Sequence, residues 1–392
     1  MGLLLQVVLD GDAMLAKKLL EEGEEDVNQV DEDLTWPANS FTPLHVACRK
    51  GDHDIVELLL QHGANANARD CFDCTPLHLT YEEDIAVMLL DNGADLEARN
   101  YHGWTPLFMA CPDDFLELAE LWLDQGANME PRDHKGNTLL QVAVMNDSFD
   151  IVELLLSRGA NVETRNDNDD TPLHLALHLA CSDDNDLDVV LLLLHQGADL
   201  EARNNNNGKT PLHIACSQGH TPQERIPLLF FGPGADLESR NVHSGSLRAS
   251  RYLLSRGANL EARNNDGDTP LHVASVESTS ELVELLMDQG ANLDAPNEDG
   301  DTPLHKVCKN LNSESGIEHA RLLLDRGANV DARNNVGCTP LHLAGSLEAA
   351  RLLLDRDANV DARNNDGRTP LHIACSDDGN MEVASFLLSQ GA

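Results

Sequence analysis

Thr369-Pro370-Leu371-His372-Ile373-Ala374-Cys375 is the last of eight stretches that open on one tetrapeptide, and the reading of that tetrapeptide decides the fold. The other copies of Thr-Pro-Leu-His begin at Thr42, Thr75, Thr171, Thr210, Thr269, Thr302 and Thr339, with variants at Thr105 (Thr-Pro-Leu-Phe) and Thr138 (Thr-Leu-Leu-Gln). Most starts lie 30, 33, 37 or 39 residues apart. Thr is a good helix N-cap because its hydroxyl accepts a backbone N–H that has no partner inside the helix. Pro at the first helical position gives up only a donor that had no partner anyway. Each copy therefore predicts a short helix, with Leu371, Ile373 and Ala374 as the apolar side of the last one. A second helix such as Ile55-Val56-Glu57-Leu58-Leu59-Leu60 has a wider apolar face and ends at Gly63 in a left-handed cap. A Gly-Ala pair marks such ends at Gly63, Gly93, Gly126, Gly159, Gly197, Gly234, Gly257, Gly290, Gly327 and Gly391. The stretch that follows, for example Ala328 to Gly337, has no helical period and closes on Asn and Gly turn residues.

One such unit cannot bury its apolar face alone, so neighbours must stack. The motif and its period resemble the ankyrin repeat, whose signature is T-P-L-H-x-A over roughly 33 residues. The resemblance runs from about residue 3 to 392. It implies an all-α solenoid of stacked helix-turn-helix units with projecting β-hairpin fingers. It also implies that the motif His bonds to backbone and neighbouring repeats, and that partners meet the finger tips and the concave side of the first helices. Counting second-helix ends gives twelve units, the first of them degenerate, because Leu4 aligns with Leu44 when Gly11 and Gly23 are set against Gly51 and Gly63. At the other end Gly391-Ala392 closes a helix pair without a finger. Two explanations stay open there: a last unit made polar enough by Asp377, Asp378, Glu382 and Ser385, or a longer product.

The pattern breaks at residues 220–250. Pro222, Pro227 and Pro233 interrupt a second helix, and Gly234 to Gly257 is too short for a whole unit. Arg248 to Leu254 reads as a second helix whose first is missing. Two blocks are therefore expected, 1–240 and 241–392, with a weak junction between them.

The formal charge of −40, from 67 acidic and 27 basic side chains, repels phosphate backbones and anionic lipid, which argues against nucleic acid and membrane as partners. No apolar run approaches the ~18 residues a membrane helix needs. The start, Met1 to Asp10, lacks the basic region of a signal peptide. Five of the nine cysteines (Cys48, Cys111, Cys181, Cys216 and Cys375) directly follow Ala in apolar helix patterns and read as buried hydrophobes in a reducing compartment. An intracellular chain, cytoplasmic or nuclear, is the expectation.

No catalytic constellation, phosphate loop or His-Glu-x-x-His occurs, so no enzyme activity and no cofactor or metal is expected. Cys71-Phe72-Asp73-Cys74 lacks the second ligand pair of a zinc site, and Asp167 to Asp170 lacks the order of a calcium loop. The Arg that recurs in the fingers (Arg69, Arg99, Arg132, Arg165, Arg203, Arg240, Arg263, Arg333 and Arg363) has an acid two residues before it in most units. Residues two apart share a face of an extended segment, so these positions read as a self-neutralised charge ladder. Only the irregular region, at His220 and His243, offers a place for an unorthodox enzyme with a groove pocket.

The tips themselves are less uniform. Trp36 and Phe41 stand in the first connection, Phe72 in the second, and Tyr101-His102-Gly103-Trp104 in the third; these hold five of the chain's fourteen aromatic residues. Exposed aromatic rings are the side chains that anchor interfaces. For Trp36 and Phe41, loop packing and partner contact stay open, whereas Trp104 and Tyr101, with Phe72 and His102, are expected to touch a partner. Glu82, Asp113, Asp114, Asp183, Asp184, Glu277, Asp377 and Asp378 at the first-helix ends suggest an acidic concave groove. A protein with a basic segment is its natural complement. The functional expectation is a protein-binding scaffold or adaptor, with the recognition part of a larger signalling or effector protein as the alternative.

Overall fold

The computed structural model describes residues 2–23, 25–30, 40–112, 114–182, 187–205, 207–217, 242–309, 314–376 and 380–392. The chain divides into two compact units, Met1–Asp167 and Asn168–Ala392, a boundary that differs from the one expected at 240. Each unit is a stack of antiparallel helix pairs. In the first, Leu3–Asp10 pairs with Ala13–Glu22, Pro43–Lys50 with His53–Gln61, Pro76–Leu79 with Glu83–Asp91, Pro106–Met109 with Leu116–Asp124, and Leu139–Met145 with Phe149–Ser157. The second holds six pairs among the described residues, from Pro172–Ser182 with Asp188–His195 to Pro370–Ala374 with Met381–Ser389. The fingers between pairs contain no strand among these residues; their β character is one isolated antiparallel bridge, Arg132 to Thr138.

The core is aliphatic and thin, as the composition requires. Leu44, Ile55, Leu59, Leu77, Ile85 and Leu89 are all essentially inaccessible, and Phe108 and Trp122 are the largest fully buried rings. The helices that carry them are only four to twelve residues long for the most part, below the length at which an isolated helix persists in water, so their stability comes from stacking.

The motif His joins one pair to the next. In Thr42-Pro43-Leu44-His45, the Thr42 backbone N–H donates to His45 Nδ1 at 3.2 Å. An Nδ1 that accepts leaves the ring proton on Nε2, which donates to the Cys74 carbonyl of the next unit at 3.1 Å. His78 does the same with Trp104, His174 with Lys209, His272 with Asp301, His305 with Cys338 and His342 with Arg368, at 3.0–3.1 Å. Burial holds His45, His78 and His213 down to about 4, against the carbonyl bonds that favour a protonated ring, so each stays neutral. These rings are structural, as the resemblance implied.

Most of the irregular region lies outside the described residues. Pro222, Pro227, Pro233, Gly234 and His220 lie in 218–241, outside the described residues, as does Arg240. Around that segment the stack is continuous. Helix Val242–Ser255, which contains the supposedly partnerless Arg248 to Leu254, packs against Pro211–Cys216, and the Cys216 thiol lies 3.9 Å from the Ser250 hydroxyl. His213 Nε2 reaches the Asp268 carbonyl at 3.0 Å, and the fingers on either side are joined by Asn265 N to Asn207 O at 2.7 Å and Asn259 N to Glu201 Oε1 at 2.7 Å. The missing first helix is Pro211–Cys216 itself. Hence eleven helix pairs are described where twelve units were counted, and the junction predicted to be weak keeps the His bridge, the tip-to-tip bond and the Glu bond of the regular ones, while Arg203 there reaches the Asn265 side chain at 3.2 Å.

Candidate partner-binding surface

Seven of the described fingers are each folded by one short polar side chain. Asp70 N donates to the Cys74 carbonyl at 3.0 Å, while Asp70 Oδ1 accepts the N–H groups of Phe72 and Cys74, both at 2.8 Å. Asn100 holds His102 and Trp104 in the same way, at 2.9 and 3.0 Å, and Asp133, Asn264, Asn297, Asn334 and Asn364 repeat the arrangement. Such Asx turns compete with regular structure for the backbone and fix the two residues that follow at the tip. The turn then needs a left-handed residue. Gly103 supplies it at φ +78°, whereas Asp73 adopts it at +57° without a glycine.

Among the described fingers from Phe72 onward, adjacent tips are tied by one backbone hydrogen bond per junction. Tyr101 N donates to Phe72 O at 2.8 Å, His134 N to His102 O at 3.2 Å and Asp167 N to Lys135 O at 3.1 Å in the first unit. In the second the series continues with Asn205 to Asn168, Glu298 to Asp266, Asn335 to Asp299 and Asn365 to Val336. Beneath the tips Arg69, Arg99, Arg132 and Arg263 bond to backbone carbonyls. Arg69 Nη1 donates to the carbonyls of Asp73 and Arg99, Arg99 to those of Gly103 and Arg132, and Arg132 to those of Gly136 and Arg165, at 2.6–3.4 Å. Arg263 likewise reaches Gly267 O and Pro296 O. The acids face the following unit: Glu97, Glu130, Glu201 and Glu261 accept the N–H groups of Asn128, Asn161, Asn259 and Asn292 at 2.7–3.1 Å. The expected charge ladder is thus a pair of inter-unit backbone clamps, which local spacing alone could not distinguish.

The aromatic candidates separate into two groups. Trp36 lies outside the described residues. Phe72 is 37% and Tyr101 65% exposed, on adjacent tips joined by the hydrogen bond above, and His102 is exposed beside Tyr101 with ring centroids 5.5 Å apart in a T-shape. Trp104 is a correction. Only 8% of it is exposed, and its ring stacks on the buried Phe108 at 6.1 Å and 15°. Phe41 is half-buried and stacks on His45 at 5.8 Å.

The reason lies in the position directly before the motif Thr. Asp170, Asp268 and Asp301 stand there, and each accepts from the amide of the next finger's turn residue, Asn204, Asn297 and Asn334, at 2.7–2.9 Å. Asn137 accepts from Asn166 at 2.9 Å; Cys74 and Cys338 accept from Asn100 and Asn364 through sulfur at 3.6 Å. Where the next turn residue is Asp instead of Asn, at Asp70 and Asp133, it has no amide to donate, and the residue before the preceding Thr is aromatic: Phe41 and Trp104. Trp104 fills a layer position and is not a tip residue.

The remaining site expectations are simpler. Cys71 is exposed, whereas burial pushes the Cys74 thiol up to about 12. No group of three or more metal-ligating side chains occurs among the described residues. Asp113, Asp183, Asp184, Asp377 and Asp378, five of the eight acids assigned to the groove, lie outside them, as does the His243 side chain. Of the others, burial raises the Asp114 carboxyl, against the Ile151 N–H that it accepts at 3.4 Å. Among the described residues no helix is long and apolar enough to cross a membrane.

Stacked helix pairs, tied by Thr-capped His bridges and Asx-turned fingers, define a repeat protein. Family profiles for ankyrin repeats match residues 4–100, 107–178, 239–334, 278–364 and 313–392, with further repeat matches at 177–223 and 207–242. The chain belongs to the ankyrin-repeat family, and repeats of this family are protein-interaction modules. Among curated proteins it is similar to mouse 2-5A-dependent ribonuclease, 40% identical over 73 residues, covering 19% of this chain and 9% of that protein. The human scaffold protein ILK is 40% identical over 66 residues, 17% of this chain and 13% of that protein. A putative ankyrin repeat protein of Rickettsia bellii is 54% identical over 37 residues, 9% and 16% respectively. The matches therefore span less than a fifth of each of these relatives.

Proposed function

We propose that this chain is a scaffold or adaptor that binds a partner protein through the finger tips of its first unit. The observation that carries the reading is the pair Phe72 and Tyr101: two exposed rings on neighbouring tips, held by Asx turns and by a tip-to-tip hydrogen bond. Rings already fixed in place lose little freedom on binding, which is what makes aromatic residues effective anchors. The Asp70 and Asn100 turns hold the backbone whether or not the rings are present, so the rings can be removed without removing the surface.

The test is a comparison of the parent with Phe72→Ala/Tyr101→Ala in quantitative affinity capture from lysate. Proteins that depend on the tips should drop by tenfold or more in the variant, corresponding to at least about 1.4 kcal/mol. An identical capture profile would remove the tips from the binding surface. A second reading, a recognition module within a larger signalling or effector protein, is favoured by the relatives, in which a similar stretch is a small part of a much longer chain. It requires the same surface and differs only in what the module is joined to.

A further inference from the structure

From the charge at these same tips we infer that the docked segment is apolar and carries one or two carboxylates, in place of the basic segment that the total charge suggests. The inference rests on tip docking as proposed above. In the first unit the exposed tip residues next to Phe72 and Tyr101 are His102, His134 and Lys135, and the one acid among them is Asp73. The His134 ring lies directly against the neighbouring finger, since a Cβ on Gly103 would come within 2.8 Å of its Cδ2. Three nitrogen-bearing side chains are thereby gathered on two adjacent tips. Below them run Arg69, Arg99 and Arg132, which keep their charge while bonding to carbonyls. The acids Glu97 and Glu130 are turned away to the N–H groups of Asn128 and Asn161.

The tips of the second unit are the reverse. Asp169, Asp266, Glu298, Asp299 and Asp366 occupy them, and no Lys, Arg or His stands at a tip there among the described residues. The tips around His102 and Lys135 are thus an interruption in a surface of net charge −40. At physiological salt a charge is largely screened beyond about 8 Å, so the sign felt by a docked segment is set by the groups it touches and not by the chain total. The interruption is also small. Asp73 closes it on one side, and on the other the Asp167 carboxylate lies over Gly136. This limits the complement to one or two carboxylates beside an apolar anchor and excludes a polyacidic run.

The experiment uses the full chain to select from a phage-displayed library of random dodecapeptides, followed by anisotropy titration of the selected synthetic peptides against parent, Lys135→Glu and Phe72→Ala/Tyr101→Ala. Circular dichroism confirms that each variant keeps its helices. The expected peptides combine an aromatic or aliphatic residue with one or two Asp or Glu. They lose at least tenfold in affinity on Lys135→Glu and on the double variant, and replacing their acid by Lys restores binding to Lys135→Glu. Selected peptides that are basic, or that bind Lys135→Glu as well as the parent while still requiring Phe72 and Tyr101, would overturn the charge inference and leave tip docking intact. Peptides indifferent to the double variant would overturn tip docking itself.

Discussion

Replacing His45 and His78 by Gln should leave the first unit about as stable as the parent at pH 7.5 and more stable than it at pH 5. The protein already contains the substitution at one unit: Gln141 accepts from Thr138 N at 2.9 Å, as the His does elsewhere, and donates at 3.4 Å to a different carbonyl of the next finger, Thr164, with no proton to gain. Burial sets His45 and His78 at about 4 in the folded chain against 6.5 when unfolded. A folded-state value below the unfolded one means that the stabilisation is complete above pH 6.5 and is lost as pH falls toward 4. At pH 5 the loss is about 2 kcal/mol for each ring, or about 4 kcal/mol for the two. Asp70, whose carboxyl burial raises against its N–H bonds, works in the opposite direction, but it is common to both proteins and cancels in the comparison. Hydrogen exchange read by mass spectrometry on the full chain, corrected for intrinsic rates, gives the opening free energy of helices Pro43–Lys50 and Glu83–Asp91 at both pH values. The reasoning fails if the parent's values there change by less than about 1 kcal/mol, or if the Gln variant falls as far as the parent.

Trp104→Ala should cost about 3–5 kcal/mol of local stability, because it empties a layer against Phe108, while Tyr101→Ala should stay within about 0.5 kcal/mol; thermal unfolding of the two variants separates them. In native protein at pH 8, alkylation followed by intact-mass measurement should modify Cys71 and Cys375 and spare Cys48, Cys111, Cys216 and Cys308, whose thiols burial pushes upward. Asp268→Ala should cost on the order of 3 kcal/mol, since it strands Asn297 and removes the 2.8 Å partner of the half-buried Lys306; urea unfolding measures it. His213→Ala should raise exchange in both helix Val242–Ser255 and the finger at Asn259 to Asp268, as only a stack continuous around 218–241 requires.

The helix pairs, their caps and the neutral bridging His were legible because each is written locally, in Thr-Pro-Leu-His and in the Gly that ends the second helix. Three things were not. Arg99 and Glu97 look like partners two residues apart, but each is bound to the following unit, Arg99 at the Arg132 carbonyl and Glu97 at the Asn128 N–H, and sequence spacing says nothing about contacts ~30 residues away. Helix Val242–Ser255 finds its first helix across a long segment, which a count based on a regular period reads as a loss. Trp104 sits one residue beyond the tip, where the chain has already turned back into the stack; the signal that could have shown this is Asp133, a turn residue with no amide to offer.

That pairing between the residue before each Thr and the next turn residue makes the order of the repeats part of the code. A repeat headed by Asp133 could not be moved to follow Asp268 or Asp301 without setting two carboxylates face to face in a buried layer, and one headed by Asn297 placed after Trp104 would bury an amide against a ring. Gene duplication or unit shuffling in this chain is therefore restricted to compatible neighbours. Anyone excising or transplanting a repeat must carry its junction residue along with it.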